Sequence, residues 1–145
     1  GTEGGMGGNA LRCVGKYLYD RGIVAGQDIT VETVGGVKAL HLFTRYGKVS
    51  SVAVDMGPAS FDPAVVPCNL PGDRAVGVHA SIGGADYTVT CVSMGNPHVV
   101  IFVLDVNAVN RQQVGPMIEQ DPLFPARVNV NYAQIVDRNS MVMRV

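Results

Sequence analysis

The sequence predicts a mixed α+β chain of two mainly antiparallel half-domains, the first over residues 1–56 and the second over residues 57–145. Three observations predict it: one stretch of helical periodicity near the start, two period-two apolar runs each broken by a glycine pair, and a proline-rich segment between them. The 145 residues include 18 glycines, and the paired ones fall between β-branched runs, where tight hairpin turns belong. Hydrophobic residues make up 47% and charged residues 16%, which is enough apolar content for a core and excludes a disordered chain.

Each element follows from local pattern. In residues 10–22, Leu11, Val14 and Leu18 fall at i, i+3 and i+7 with Cys13 and Tyr17 flanking the stripe; Asn9 is placed to cap this helix and Gly22 to stop it. From Asp28 the period changes to two. Residues 29–34, a Gly35-Gly36 turn, residues 37–43, a turn at Tyr46-Gly47-Lys48 and residues 49–56 read as a three-stranded meander. Residues 57–72 hold Pro58, Pro63, Pro67 and Pro71 and read as a connector or domain boundary. The meander then recurs: residues 75–82, a Gly83-Gly84 turn, residues 85–92 and residues 99–103. A short helix over residues 114–120 and a strand over residues 127–136 complete the chain.

The halves echo each other in order. Val34-Gly35-Gly36-Val37 matches Ile82-Gly83-Gly84-Ala85, and Val54-Asp55-Met56-Gly57-Pro58 matches Val92-Ser93-Met94-Gly95-Asn96-Pro97. Two related halves would set their loops across a cleft, a usual place for a small ligand. The chain opens at Gly1 inside a glycine-rich loop and closes on the alternating run Met141-Val142-Met143-Arg144, so it reads as a piece of something longer; a last strand at a sheet edge is the other reading.

Charge and composition narrow the partners. Eleven Lys+Arg against twelve Asp+Glu give a net charge of -1 without like-charge runs, so the field that holds a polyanion is missing and nucleic acid is not expected. The longest apolar stretch, Val99 to Leu104, is far below the ~20 residues that span a bilayer, so no membrane partner is expected. Cys13, Cys68 and Cys91 form no CxxC pair and are odd in number, which fits a reducing cytoplasm better than a disulfide framework or a zinc site.

Three segments carry candidate chemistry. Met6-Gly7-Gly8-Asn9 runs into the first helix, where free N–H groups and the positive end of the dipole would hold a carboxylate or phosphate; the same residues also make an ordinary helix start. Ser93-Met94-Gly95-Asn96-Pro97-His98 is a polar loop between apolar strands, in which Asn96 offers a donor and an acceptor and His98 titrates near neutrality, although Asn before Pro is also a plain turn residue. In Phe124-Pro125-Ala126-Arg127-Val128-Asn129-Val130-Asn131, the two asparagines alternate onto one strand face, a placement that favours a polar cleft over an exposed surface.

Taken together, these segments, with Arg12-Cys13 after the first, resemble the diaminopimelate epimerase family along essentially the whole chain. The resemblance implies two pseudo-symmetric domains, each a β-barrel-like sheet around a central helix, incomplete here at both ends. It implies interconversion of LL- and meso-diaminopimelate in lysine and peptidoglycan-precursor biosynthesis, without pyridoxal phosphate or metal, by two cysteines on opposite faces of the α-carbon. The first of those cysteines corresponds to Gly7, so its thiol is absent, and the second belongs to a Cys-Gly-Thr-Gly segment that this chain does not reach. By motif position, Gly8 and Asn9 would bind a substrate carboxylate, Asn96 and Asn129 would contact its polar ends, and His98 would support the site. Cys13 matches a structural cysteine of the family, and Cys68 and Cys91 read as inert small hydrophobes. The expectation is an epimerase by descent, inactive as this chain, cytoplasmic, without cofactor, and homodimeric when intact. The rivals are a related cofactor-independent racemase or isomerase, distinguished by substrate length, and a non-catalytic small-molecule-binding or interaction protein, favoured by Gly7.

Overall fold

The computed structural model describes residues 7–145, which divide into two compact units, one ending at Pro58 and one running from Ala59 to Val145. The architecture is mixed α+β, with two helices, a three-stranded sheet and a five-stranded sheet. No described helix is long and apolar enough to cross a membrane.

The first unit opens with α1 (Gly8–Asp20), whose N-cap is Gly7 with no side-chain cap. Asn9 therefore does not cap the helix as expected; it lies one residue inside, where its Oδ1 accepts from the Arg12 guanidinium. Gly22 stops the helix as predicted, at φ 70°, with its own N–H donating to the Tyr19 carbonyl and the Ile23 N–H to that of Leu18. The buried stripe is Leu11 and Gly15, with Val14, Tyr17 and Cys13 exposed. This rotates the expected face, because a glycine was not counted as a packing residue. A Cβ on Gly15 would come within 2.9 Å of Leu42 Cδ2 and 3.0 Å of Leu40 Cδ2, so its missing side chain lets the helix lie on the sheet.

That sheet is the predicted antiparallel meander of β1 (Asp28–Thr33), β2 (Gly36–Arg45) and β3 (Lys48–Val54). Tyr46 and Gly47, at φ 54° and 72°, make the two-residue turn between β2 and β3. Phe43 pairs with Ser51 but Thr44 with Val49, leaving Ser50 as an extra, bulged residue. The bulge shifts the alternation of β3 by one and brings Val49 onto the same face as Val52 and Val54, although the sequence spaces them unevenly. Asp20 locks the far end of α1 to this strand: its carboxylate accepts from Lys16 Nζ at 2.7 Å and from the Val49 N–H at 2.8 Å.

The second unit orders its strands β4 (Val78–Ile82), β5 (Ala85–Ser93), β6 (Pro97–Phe102), β7 (Asn129–Ile135) and β8 (Met141–Arg144). All neighbours are antiparallel except β6 and β7, whose parallel pairing follows from the long connection that carries α2 (Arg111–Glu119). The turn between β4 and β5 uses Gly83 and Gly84 at φ 57° and 80°. The proline-rich segment, expected as a connector or domain boundary, contains the division between the units at Pro58, but beyond it the chain is not a bare connector. Val66 and Cys68 are buried in the core beside Val89, Cys91, Val99 and Ile118, because aspartate-anchored turns at Asp62 satisfy the backbone and free the apolar residues to point inward. Helix α2 begins three residues earlier than expected, at Arg111 after Asn110, and β7 begins at Asn129 because Arg127, at φ 61°, turns the chain just before it.

Candidate functional site

In the first unit, the candidate site residues occupy the start of α1. The first intrahelical bond runs from the Leu11 N–H to the Gly7 carbonyl, so the N–H groups of Gly8, Asn9 and Ala10 belong to the unpaired first turn. No hydrogen bond from Gly8 or Asn9 N–H occurs among the described residues. No acidic side chain sits in the first turn to occupy the positive end of the dipole. Gly8 faces Met56, where a Cβ would lie 3.3 Å from the thioether sulfur, so this glycine lets the helix start come close to the chain that follows β3. Gly7 has φ -132°, and among the described residues a Cβ there would meet only Ala10 Cβ at 3.4 Å. Among the described residues, neither backbone nor space requires glycine at position 7.

In the second unit, Asn96, His98, Asn129 and Asn131 fall at one end of the β6–β7 pair. Parallel register sets His98 beside Asn129 and Val100 beside Asn131. His98 Nε2 lies 3.0 Å from Asn96 Oδ1, and Asn131 Nδ2 lies 3.3 Å from His98 Nδ1. Asn129 is exposed and its Nδ2 donates to the Pro97 carbonyl at 2.9 Å. Asn131 is buried, and its Nδ2 reaches the carbonyls of Val99 at 3.2 Å and Asn129 at 3.0 Å. Burial holds His98 below the usual imidazole range, so the ring is neutral at pH 7. The loop leading into Asn96 is tightened by Ser93, whose Oγ accepts from the Gly95 N–H at 3.3 Å. Sequence reasoning placed Asn131 on the face of Asn129 but gave it no role; only the strand register reveals that its amide meets His98.

The cysteines separate clearly. Cys68 and Cys91 are buried, and burial together with the neighbouring Cys68 thiol pushes Cys91 up to about 12, so it stays a thiol at neutral pH. Cys13 is exposed, not beside the apolar stripe as expected, and with Asn9, Arg12, Lys16 and residues 49–52 it lines a groove of about 510 Å³. No group of three or more metal-ligating side chains occurs among the described residues.

The profile of the family described as Diaminopimelate epimerase matches residues 90–145, which include Asn96, His98, Asn129 and Asn131. Along the whole chain, 47% of residues are identical to "Diaminopimelate epimerase" of Pelotomaculum thermopropionicum and 43% to that of Acetivibrio thermocellus. The chain belongs to the diaminopimelate epimerase family. It spans about half the length of the curated relatives it matches, covering 52% of each of these two. Among solved structures, a probable proline racemase from Agrobacterium radiobacter K84 with bound carbonate superposes with a TM-score of 0.61 at 17% identity, over 94% of this chain and 44% of that one. A hydroxyproline epimerase from Agrobacterium vitis with bound trans-4-OH-L-proline gives 0.60 at 15% identity, over 94% of this chain and 43% of that one. These two likenesses establish the fold that diaminopimelate epimerase relatives share with racemases.

Proposed function

We propose that this chain supplies the substrate-binding half of a diaminopimelate epimerase, a cofactor-independent enzyme of lysine biosynthesis in the cytoplasm, and is itself inactive. The observation that carries this reading is the start of α1, where Gly8 and Asn9 N–H groups have no partner among the described residues. The α-proton of an amino acid is only weakly acidic, so its removal needs the adjacent carboxylate held by aligned donors that stabilise the carbanion-like transition state. Gly8 and Asn9 provide those donors. Asn96 and Asn129 contact the polar ends of the substrate, and His98 supports Asn96 as a neutral ring. Residues 1–56 form part of the family's first domain and residues 57–145 part of its second, and the intact enzyme is a homodimer.

Proton exchange also needs an acid and a base on opposite faces of the carbon. Cys91 is held as a thiol in the core, Cys68 is buried beside it, and Cys13 is exposed on the flank of α1, about one turn past the Asn9 N–H, so none replaces the thiol missing at Gly7. Loss of one such group forfeits roughly 10²–10⁴-fold in rate. The test is deuterium incorporation into diaminopimelate from heavy water. None is expected from this chain, and incorporation that survives Cys13→Ser overturns the claim of inactivity. Gly7→Cys sharpens the test, because no described residue blocks a Cβ there. The new thiol is expected to titrate below the ordinary ~8.5, as thiols at helix N-termini do, measured by the pH dependence of alkylation.

A further inference from the structure

We infer that Asn131 is a positioning residue: through His98 it fixes the orientation of the Asn96 side-chain amide, turning the Asn96 NH₂ group away from the imidazole and leaving it to donate to an acceptor such as a carboxylate. The inference rests on the epimerase reading only in naming the substrate as the recipient. The rest follows from hydrogen-bond polarity. Asn131 Nδ2 lies 3.2 Å from the Val99 carbonyl and 3.0 Å from the Asn129 carbonyl, and carbonyl oxygens only accept, so this end of the side chain must be its NH₂. An amide nitrogen has donors and no acceptor. The two amide protons are shared among three acceptors, and the His98 Nδ1 that faces them at 3.3 Å is the side of the ring that carries the lone pair, because a proton there would meet the amide donors head on. A neutral imidazole has one proton, which then sits on Nε2, and the Asn96 atom 3.0 Å away must be the acceptor, its Oδ1. Two backbone carbonyls at the floor of the β6–β7 pair thus set the polarity of a side chain two hydrogen bonds away.

The residues opposite His98 do not compete for the ring. Val92 stands across from it on β5 and Asn129 on β7, and neither titrates. A proton added to Nδ1 would point at the Asn131 NH₂, donor against donor, so Asn131 also keeps the ring neutral.

Two-bond ¹⁵N–¹H correlation of the His98 ring in the full 145-residue chain tests the relay without any ligand. The expected result is a neutral ring protonated on Nε2. A proton on Nδ1 overturns the inference outright, whichever variants fold. Asn131→Asp replaces the donor by an acceptor and is expected to raise the His98 pKa by about one unit or more, while Asn131→Ala is expected to release the ring into a mixture of tautomers. An unchanged ring in both folded variants also overturns it. Titration with millimolar meso-diaminopimelate then follows the Asn96 side-chain amide. A shift in the unsubstituted chain that falls at least several-fold in Asn131→Ala supports the positioning role, and an equal shift in both overturns it. If the relay is present and Asn96 does not respond to the ligand in the unsubstituted chain, the substrate reading fails for Asn96 and the role of Asn131 in substrate binding fails with it, leaving only the ring geometry.

Discussion

The two units repeat one construction and cover it to different depths. Each has an antiparallel meander with a glycine-bearing turn, and each carries a matching loop, after β3 in the first and after β5 in the second: Asp55 Oδ1 accepts from the Gly57 N–H at 2.9 Å in the first, Ser93 Oγ from the Gly95 N–H at 3.3 Å in the second. Both glycines have positive φ, 75° and 95°. The cores diverge. Among the described residues, the first unit buries a cluster of four, Leu11, Leu40, Leu42 and Val49, whereas the second buries fifteen. The added elements explain the difference, since the proline-rich segment, α2 and β7 all send side chains into the second core. A shared local plan therefore does not set stability; the number of layers packed on it does.

The comparison breaks most visibly in the cores. Leu42 and Ile118 are both fully buried, and truncation of either to alanine costs about 2–5 kcal/mol. For a four-residue core this exceeds the margin, so Leu42→Ala is expected to erase the first unit's dispersed amide resonances. Ile118→Ala is expected to lower the second unit's melting temperature and leave its spectrum folded. Survival of the first unit in Leu42→Ala would show that its stability does not rest on that cluster.

The paired turns give a smaller difference. Gly36 and Gly84 have open space around them, but Gly83 is covered by the Met117 thioether of α2. Gly36→Ala carries only the left-handed backbone penalty of about 1–2 kcal/mol, and Gly83→Ala adds the displacement of Met117, a further ~1–3 kcal/mol. Urea denaturation followed separately for each unit measures both. Equal costs would show that α2 yields without loss.

The smallest effect is the order in which acid acts. His98 has its pKa lowered by burial, so below the ordinary 6.5 the unfolded second unit gains a proton that the folded one refuses, and stability falls with pH from that point. Asp20 is lowered first by its hydrogen bond with Lys16 and then by the Val49 N–H, so its contribution to the first unit stays in place above 3.8 and is lost as pH falls below that value toward its folded pKa. Stability measured against pH is expected to decline earlier in the second unit; His98→Gln is expected to remove the early decline and Asp20→Asn the late one.

Much of this was legible in the residues. The Gly83-Gly84 pair marks the second hairpin because left-handed turns exclude most side chains, and Gly22 marks the end of α1 for the same reason; in the first hairpin the turn is Val34-Gly35, one residue earlier than expected, with left-handed Gly36 opening β2. The loop carrying Asn96 and His98 was found from its polarity between apolar strands. What escaped was set by contacts between distant segments. The stripe of α1 was misread because Gly15 packs by having no side chain. The proline-rich segment looked like a linker until Val66 and Cys68 were seen in the core. Asn131 could be placed on a strand face, but its meeting with His98 depends on parallel register with β6, which no local pattern encodes.

The bulge at Ser50 has a consequence for how this chain tolerates gaps. Removal of one residue from a strand ordinarily reverses every side chain beyond the cut. Here, loss of Ser50 would bring Val49 and Ser51 into adjoining pairs and leave Val49, Val52 and Val54 facing as they do now. The position is a silent one for the inward-facing pattern, and its effect falls on the other side of the strand. Among the described residues β3 is an edge, and an irregular edge is a poor template for another chain to zip onto, whereas the shortened strand would offer an unbroken one. The serine that contributes nothing to the core thereby leaves β3 an irregular edge.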